Sequence, residues 1–82
     1  MAIYDIVFSK QAKKFLEKLT PKQRQRIYLR LENLPSGTGI IKMTDLRNRY
    51  RMRIGSFRVL YEVENNILTV FIIEIDNGGD IY

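Results

Sequence analysis

The stretch Tyr50–Val63, YRMRIGSFRVLYEV, decides how the rest of the chain is read. Apolar and polar residues alternate on both sides of Gly55-Ser56, the pattern of half-buried strands joined by a two-residue turn. With that pair as the loop, Ile54 falls opposite Phe57, Arg53 opposite Arg58, Met52 opposite Val59 and Arg51 opposite Leu60. One face then collects Tyr50, Met52, Ile54, Phe57, Val59, Tyr61 and Val63, a core in waiting. The other face carries Arg51, Arg53, Arg58 and Glu62, with Leu60 between them. Directly opposed like charges destabilise a sheet by a few tenths of a kcal/mol. A bound anion offsets that cost. So would pairing of each arginine with a nearby acid such as Glu62, or projection into water.

Downstream, Ile67–Ile75 follows Asn65-Asn66, which reads as a second two-residue turn and a third hairpin strand. This pairing adds Leu68, Val70 and Ile72 to the apolar face, and Phe71 and Ile73 to the arginine face. Phe71 beside Leu60 offers a flat surface for a nucleobase, next to forks shaped for phosphate.

Upstream, IYDIVFS reads as a short strand, covered on both sides or central in its sheet. Ser9 is a helix N-cap, and Ala12, Phe15, Leu16 and Leu19 recur at helical spacing. In LTPKQ, Thr20 caps a second helix, Pro21 takes its first position and Gln23 completes a capping box. Ile27, Leu31 and Leu34 form its apolar stripe, while Lys22, Arg24, Arg26 and Arg30 face elsewhere. PSGTG, residues 35–39, stops it, and a link around Lys42–Arg49 leads into the hairpin. The expected fold class is α+β: one domain over residues 1–82, ordered β-α-α-β-β-β. A helical hairpin packs on one face of a small, mainly antiparallel four-stranded sheet.

Bulk properties narrow the function. Eighty-two residues allow one core and a stability of about 5 kcal/mol or a little more. No apolar run approaches the length of a membrane span. The start, MAIYDIVFSK, has an acid in its middle and no cleavable apolar core, so a cytoplasmic protein without a membrane partner is expected. There is no cysteine, which excludes disulfides and thiol chemistry, and no histidine, which removes the commonest general base and metal ligand. The remaining acids are scattered, and Asp76 with Asp80 is weak support for a metal site, so no metal or cofactor is expected. The net charge of +5 hides a division: fourteen bases against four acids give +10 over residues 1–58, and five acids with no base give −5 thereafter. Such a block points to a polyanion or an acidic protein partner.

The helical hairpin, then LRNRYRMRIGSFRVLYEV, LTVFIIEID and the closing DIY, resemble the RelE/ParE superfamily of toxins from type II toxin–antitoxin modules. The resemblance covers nearly the whole chain. In its RelE branch it implies a ribosome-dependent endoribonuclease that cuts mRNA in the A site by attack of the RNA 2′-OH on the adjacent phosphate. The family's basic strand pair falls on Arg51 and Arg53, its next-strand arginine on Arg58 and its C-terminal tyrosine on Tyr82. Lys42, Arg47 and Arg49, with Phe71, are the expected RNA contacts. Arginine stays protonated, so the three site arginines have electrostatic roles, and a base must come from a tyrosinate or an unusual lysine. The family commonly carries an arginine in the loop before the final tyrosine; here Gly78 stands in its place, which implies weakened or lost cleavage, a different arrangement for cutting, or an introduced inactivating change. The resemblance also implies an antitoxin partner, with any operator DNA bound through that antitoxin. Two alternatives stay open: a ParE-like toxin acting on DNA gyrase, and an antitoxin-binding module without chemistry.

Overall fold

The computed structural model describes residues 4–34, 37, 39–43 and 48–78. A five-stranded sheet is built from β1 (Asp5–Phe8), β2 (Ile40–Lys42), β3 (Arg49–Ile54), β4 (Phe57–Glu64) and β5 (Thr69–Asp76). The spatial order is β1-β5-β4-β3-β2; β1 runs parallel to β5 and every other pair is antiparallel. Two helices, α1 (Lys10–Glu17) and α2 (Pro21–Leu31), cover one face, α1 against β5 and α2 against β3.

The helix starts follow their local chemistry. Ser9 Oγ accepts from Ala12 N at 3.1 Å, and Thr20 with Gln23 closes a reciprocal capping box ahead of Pro21. Arg24 turns back to α1, donating to the carbonyls of Leu16 and Leu19 at 3.3 and 2.7 Å. The Leu16 carbonyl already accepts from Leu19 N, so Arg24 adds a second donor there and gives the Leu19 carbonyl one just past the end of α1. Ala12, Leu16, Ile27, Leu31 and Leu34 seal against Met52, Ile54, Val59, Tyr61, Val70, Ile72 and Ile75. Phe15 meets Phe57 edge-on at 5.9 Å.

The first hairpin has the expected register throughout, with Gly55 at φ +60 in its turn. Other expectations are corrected. The sheet has five strands, not four, because Ile40–Lys42, in the stretch read as a link, pairs with β3 as a three-residue edge. The first strand is an edge rather than central or doubly covered, since β1 pairs with β5 alone. Asn65-Asn66 does not form a two-residue turn. Asn65–Ile67 make a turn of 3₁₀ helix and Leu68 takes the positive φ, 47°, so β5 starts at Thr69. Leu68 accordingly leaves the core and is 45% exposed.

The last correction is the most consequential. Tyr61 pairs with Ile72, but Leu60 pairs with Glu74, so Ile73 is an extra residue, a β-bulge. Beyond it the phase of β5 flips: Ile75 enters the core, while Glu74 and Asp76 fall on the arginine face. The α1 start holds the bulge in place. Ser9 Oγ donates to Ile73 O at 2.6 Å, and Ser9 N donates to Ile72 O at 2.9 Å. The Gln11 amide bonds both backbone groups of Ile75, at 2.9 and 3.0 Å. These side chains satisfy backbone groups that the interrupted ladder leaves over.

Candidate functional site

Because side chains alternate across a strand, the register fixes which residues share the face turned away from the helices. Three rows cross it. Arg49, Glu62 and Phe71 form the first; Ile41, Arg51, Leu60 and Glu74 the second; Arg53, Arg58 and Asp76 the third. Arg51, Arg53 and Arg58 therefore lie together, as the sequence required. With Gly39, Ile40 and Ile41 of the β2 edge they line a pocket of about 370 Å³. A neighbouring hollow of about 230 Å³ shares Arg51 and Arg58 but is closed by Met43, Leu60, Glu74 and Asp76. The face is thus cationic towards β2 and acidic towards β5.

Two of its arginines are held by carboxylates of the same chain. Arg49 Nε donates to Glu62 Oε1 at 3.2 Å. Arg58 makes a two-pronged contact with Asp76, Nε to Oδ1 at 3.2 Å and Nη2 to Oδ2 at 3.1 Å. Neither Arg53 nor Arg58 stands without a partner. Glu62, the acid that sequence reasoning singled out, serves Arg49, outside the trio. The acid that serves the trio, Asp76, arrives by way of the bulge.

The remaining expected contacts divide. Phe71 lies on the arginine face, partly buried, in the row of Arg49. Lys42 pairs with Tyr50 and so belongs to the opposite side of the sheet; the structure does not bring it to the arginines. A strand too short to show its own alternation hid that phase. Arg47 and Tyr82 lie outside the described residues. Gly78 is buried against Arg58: a Cβ placed on it would sit 3.1 Å from Arg58 Cβ and 3.3 Å from Arg58 Nε. Gly78, expected from the resemblance to replace an arginine, rests on the stem of one that the chain already has.

The tyrosines of the hairpin are on the wrong side to act as a base. Tyr50 and Tyr61 stack at 5.5 Å on the helix face. Burial, with Tyr50 adding to it, pushes Tyr61 up to about 12. Among the described residues no group of three or more acids stands where it could hold a metal ion, and no helix is long and apolar enough to cross a membrane.

This geometry can be set beside known proteins. The family model for the ParE toxin of type II toxin–antitoxin systems, parDE, matches residues 6–82. The chain belongs to this family. It is a toxin component of the RelE/ParE superfamily, as its sequence had implied. Its fold matches a chain of the archaeal RelE–RelB complex from Pyrococcus horikoshii OT3 at 28% identity and TM-score 0.78, covering 96% of this toxin and 98% of that chain. A chain of the RelB–RelE antitoxin–toxin complex from Methanococcus jannaschii matches at 27% identity and TM-score 0.69, covering 93% and 94%. The isolated E. coli RelE toxin aligns at TM-score 0.74 over 90% of this chain and 83% of that one, but at 21% identity, a likeness of fold alone. No curated protein matches the sequence.

Proposed function

We propose that this toxin is a ribosome-dependent endoribonuclease of the cytoplasm that cleaves mRNA in the A site. The observation that carries the reading is the pocket of about 370 Å³ into which β3 and β4 bring Arg51, Arg53 and Arg58 together. In the reaction the RNA 2′-OH gives up its proton and attacks the adjacent phosphorus. The bond to the 5′-oxygen breaks, leaving a 2′,3′-cyclic phosphate and, after that oxygen is protonated, a 5′-OH. The transition state gains negative charge, which fixed guanidinium groups stabilise without reorganising at the moment of reaction. With no histidine in the chain and Tyr50 and Tyr61 turned towards the helices, the base is proposed to be another tyrosinate, Tyr82 being the family's candidate, or a lysine.

The partner proposed is a cognate antitoxin, acidic in part, that covers the arginine face and through which operator DNA is bound. Toxin–antitoxin complexes among the similar structures support this. The charge division supports it too, fourteen bases against four acids over residues 1–58.

Cleavage of a translated mRNA in a reconstituted ribosome system tests the reading. Arg51→Ala or Arg53→Ala should each lower the rate by about 10²–10³-fold, the usual worth of one fixed electrostatic donor. Rates unchanged by either substitution would remove the site. Gly78→Arg should deepen growth arrest where the variant stays folded, since its Cβ would sit 3.1 Å from Arg58 Cβ and require a shift of a few tenths of an ångström. The match to the ParE family model supports a second reading, action on DNA gyrase. Inhibited supercoiling with intact mRNA would select it.

A further inference from the structure

Arg58 is gripped at both its tip and its stem. Asp76 takes its fork with both carboxylate oxygens, at 3.2 and 3.1 Å. Gly78, two residues on, lies against its Cβ, Cδ and Nε so closely that an added methyl would have to displace them. This arrangement is made by the bulge. In an uninterrupted ladder, continuing from Tyr61–Ile72, Arg58 would face Ile75, and Asp76 would lie on the helix side. The extra residue, Ile73, advances β5 by one, and Ser9 and Gln11 of the α1 start fasten it. Bulges beside sites often re-aim a side chain, and this one aims a carboxylate at a fork that suits phosphate equally well.

We infer that Asp76 is an intramolecular competitor for Arg58, an internal anion that an incoming phosphate must displace or share. The inference rests on the reading of the arginine face as a phosphate-binding surface and assigns the regulation of that surface. Its consequence is a toxin whose affinity for phosphate is set low by its own last strand. Glu74, in the adjoining row, adds negative charge on the same side. The side chains of Arg58 and Asp76 are only 22% and 37% exposed, so solvent screens the pair less than a fully exposed one.

The test uses the full chain and inorganic pyrophosphate as probe, titrated while the arginine Nε–H signals are followed by NMR. Asp76→Asn should tighten pyrophosphate binding by about three- to tenfold, the scale of one partly screened charge contact. Without ligand it should also lose the slow exchange of the Arg58 Nε–H that the fork confers. Asp76→Ser, checked for an unchanged amide spectrum, guards against a folding defect peculiar to one substitution. In an Arg58→Ala background the gain from Asp76→Asn should shrink to less than about twofold, because the competitor then has nothing to hold. Binding no tighter in the Asp76 variants, or tightening that persists in full without Arg58, would overturn the inference. Cleavage of mRNA is decided separately. Tightening without any cleavage keeps the competitor and removes the ribonuclease, and cleavage without tightening does the reverse.

Discussion

Val59 and Arg58 are neighbours in β4, and different forces fix them. Val59 is fully buried under the helices, in a row with Met52 and Ile75. Its place is set by burial, which is worth about 1.5–3 kcal/mol for a side chain of this kind and tolerates little change in shape. Arg58 faces the other way, among groups that partly face water, where its ion pair with Asp76 and its contact with Gly78 help to fix it. Such pairs are commonly worth less than about 1 kcal/mol. The helix side of the sheet is therefore specified many times over, while the arginine side has its arrangement decided by a few contacts. A surface of that kind can be tuned by one substitution without endangering the fold.

The contrast breaks most visibly if a charge is moved across the sheet. Val59→Asp buries an unpaired carboxylate and should cost about 4–5 kcal/mol, close to the whole stability of the domain. Circular dichroism should find this variant largely unfolded at 25 °C, whereas Arg58→Ala stays folded. Gln11→Ala probes the seam between the two sides. It strips both partners from Ile75, so urea unfolding should register a loss of about 1–3 kcal/mol.

Tyr61 sharpens the comparison from inside the core. Its buried hydroxyl has no hydrogen-bond partner among the described residues, so Tyr61→Phe should change neutral-pH stability by less than about 1 kcal/mol. Its pH dependence is larger. The folded protein holds this phenol at about 12 against 10.0 for an ordinary one. Above pH 10 the unfolded chain loses that proton first. The contribution is thus whole below pH 10 and disappears as the pH climbs through 12. Thermal melts should show wild type losing about 2–3 kcal/mol relative to Tyr61→Phe across that window. The smallest effect is expected at Arg49→Ala, where loss of the partly exposed pair with Glu62 should cost about 0.2–1 kcal/mol and weaken in high salt.

Legibility in the sequence follows the same division. The helix caps, the first hairpin and most core residues could be read because apolar spacing and turn chemistry agree there. The arginine trio followed from that register without further assumption. What escaped was local irregularity. Ile40–Lys42 is too short for an alternation to show. Asn65-Asn66 has the composition of a tight turn, yet Glu64 pairs with Thr69, and the loop between them gives its positive φ to Leu68. The bulge did leave a trace: in Val70-Phe71-Ile72-Ile73-Glu74-Ile75 the apolar phase changes at the doubled isoleucine. Two adjacent apolar residues in an alternating strand mark a bulge as readily as a surface hydrophobe, and only the pairing decides between them. Asp76, the most informative residue of the site, was hidden by that one ambiguity.

The sheet order also has a temporal side. Among the described residues β5 follows the other four strands in sequence, yet it is inserted between β4 and β1, across a separation of 64 residues at the Ser9–Ile73 contact. Such distant pairings form late, after the cost of closing a long loop has been met. Until β5 docks, β1 and α1 lack the element that each packs against most extensively. Until then the interior lacks Val70, Ile72 and Ile75, and Arg58 lacks its Asp76 partner. Closure of the fold therefore waits on β5, whose docking completes the interior and the Arg58–Asp76 pair together.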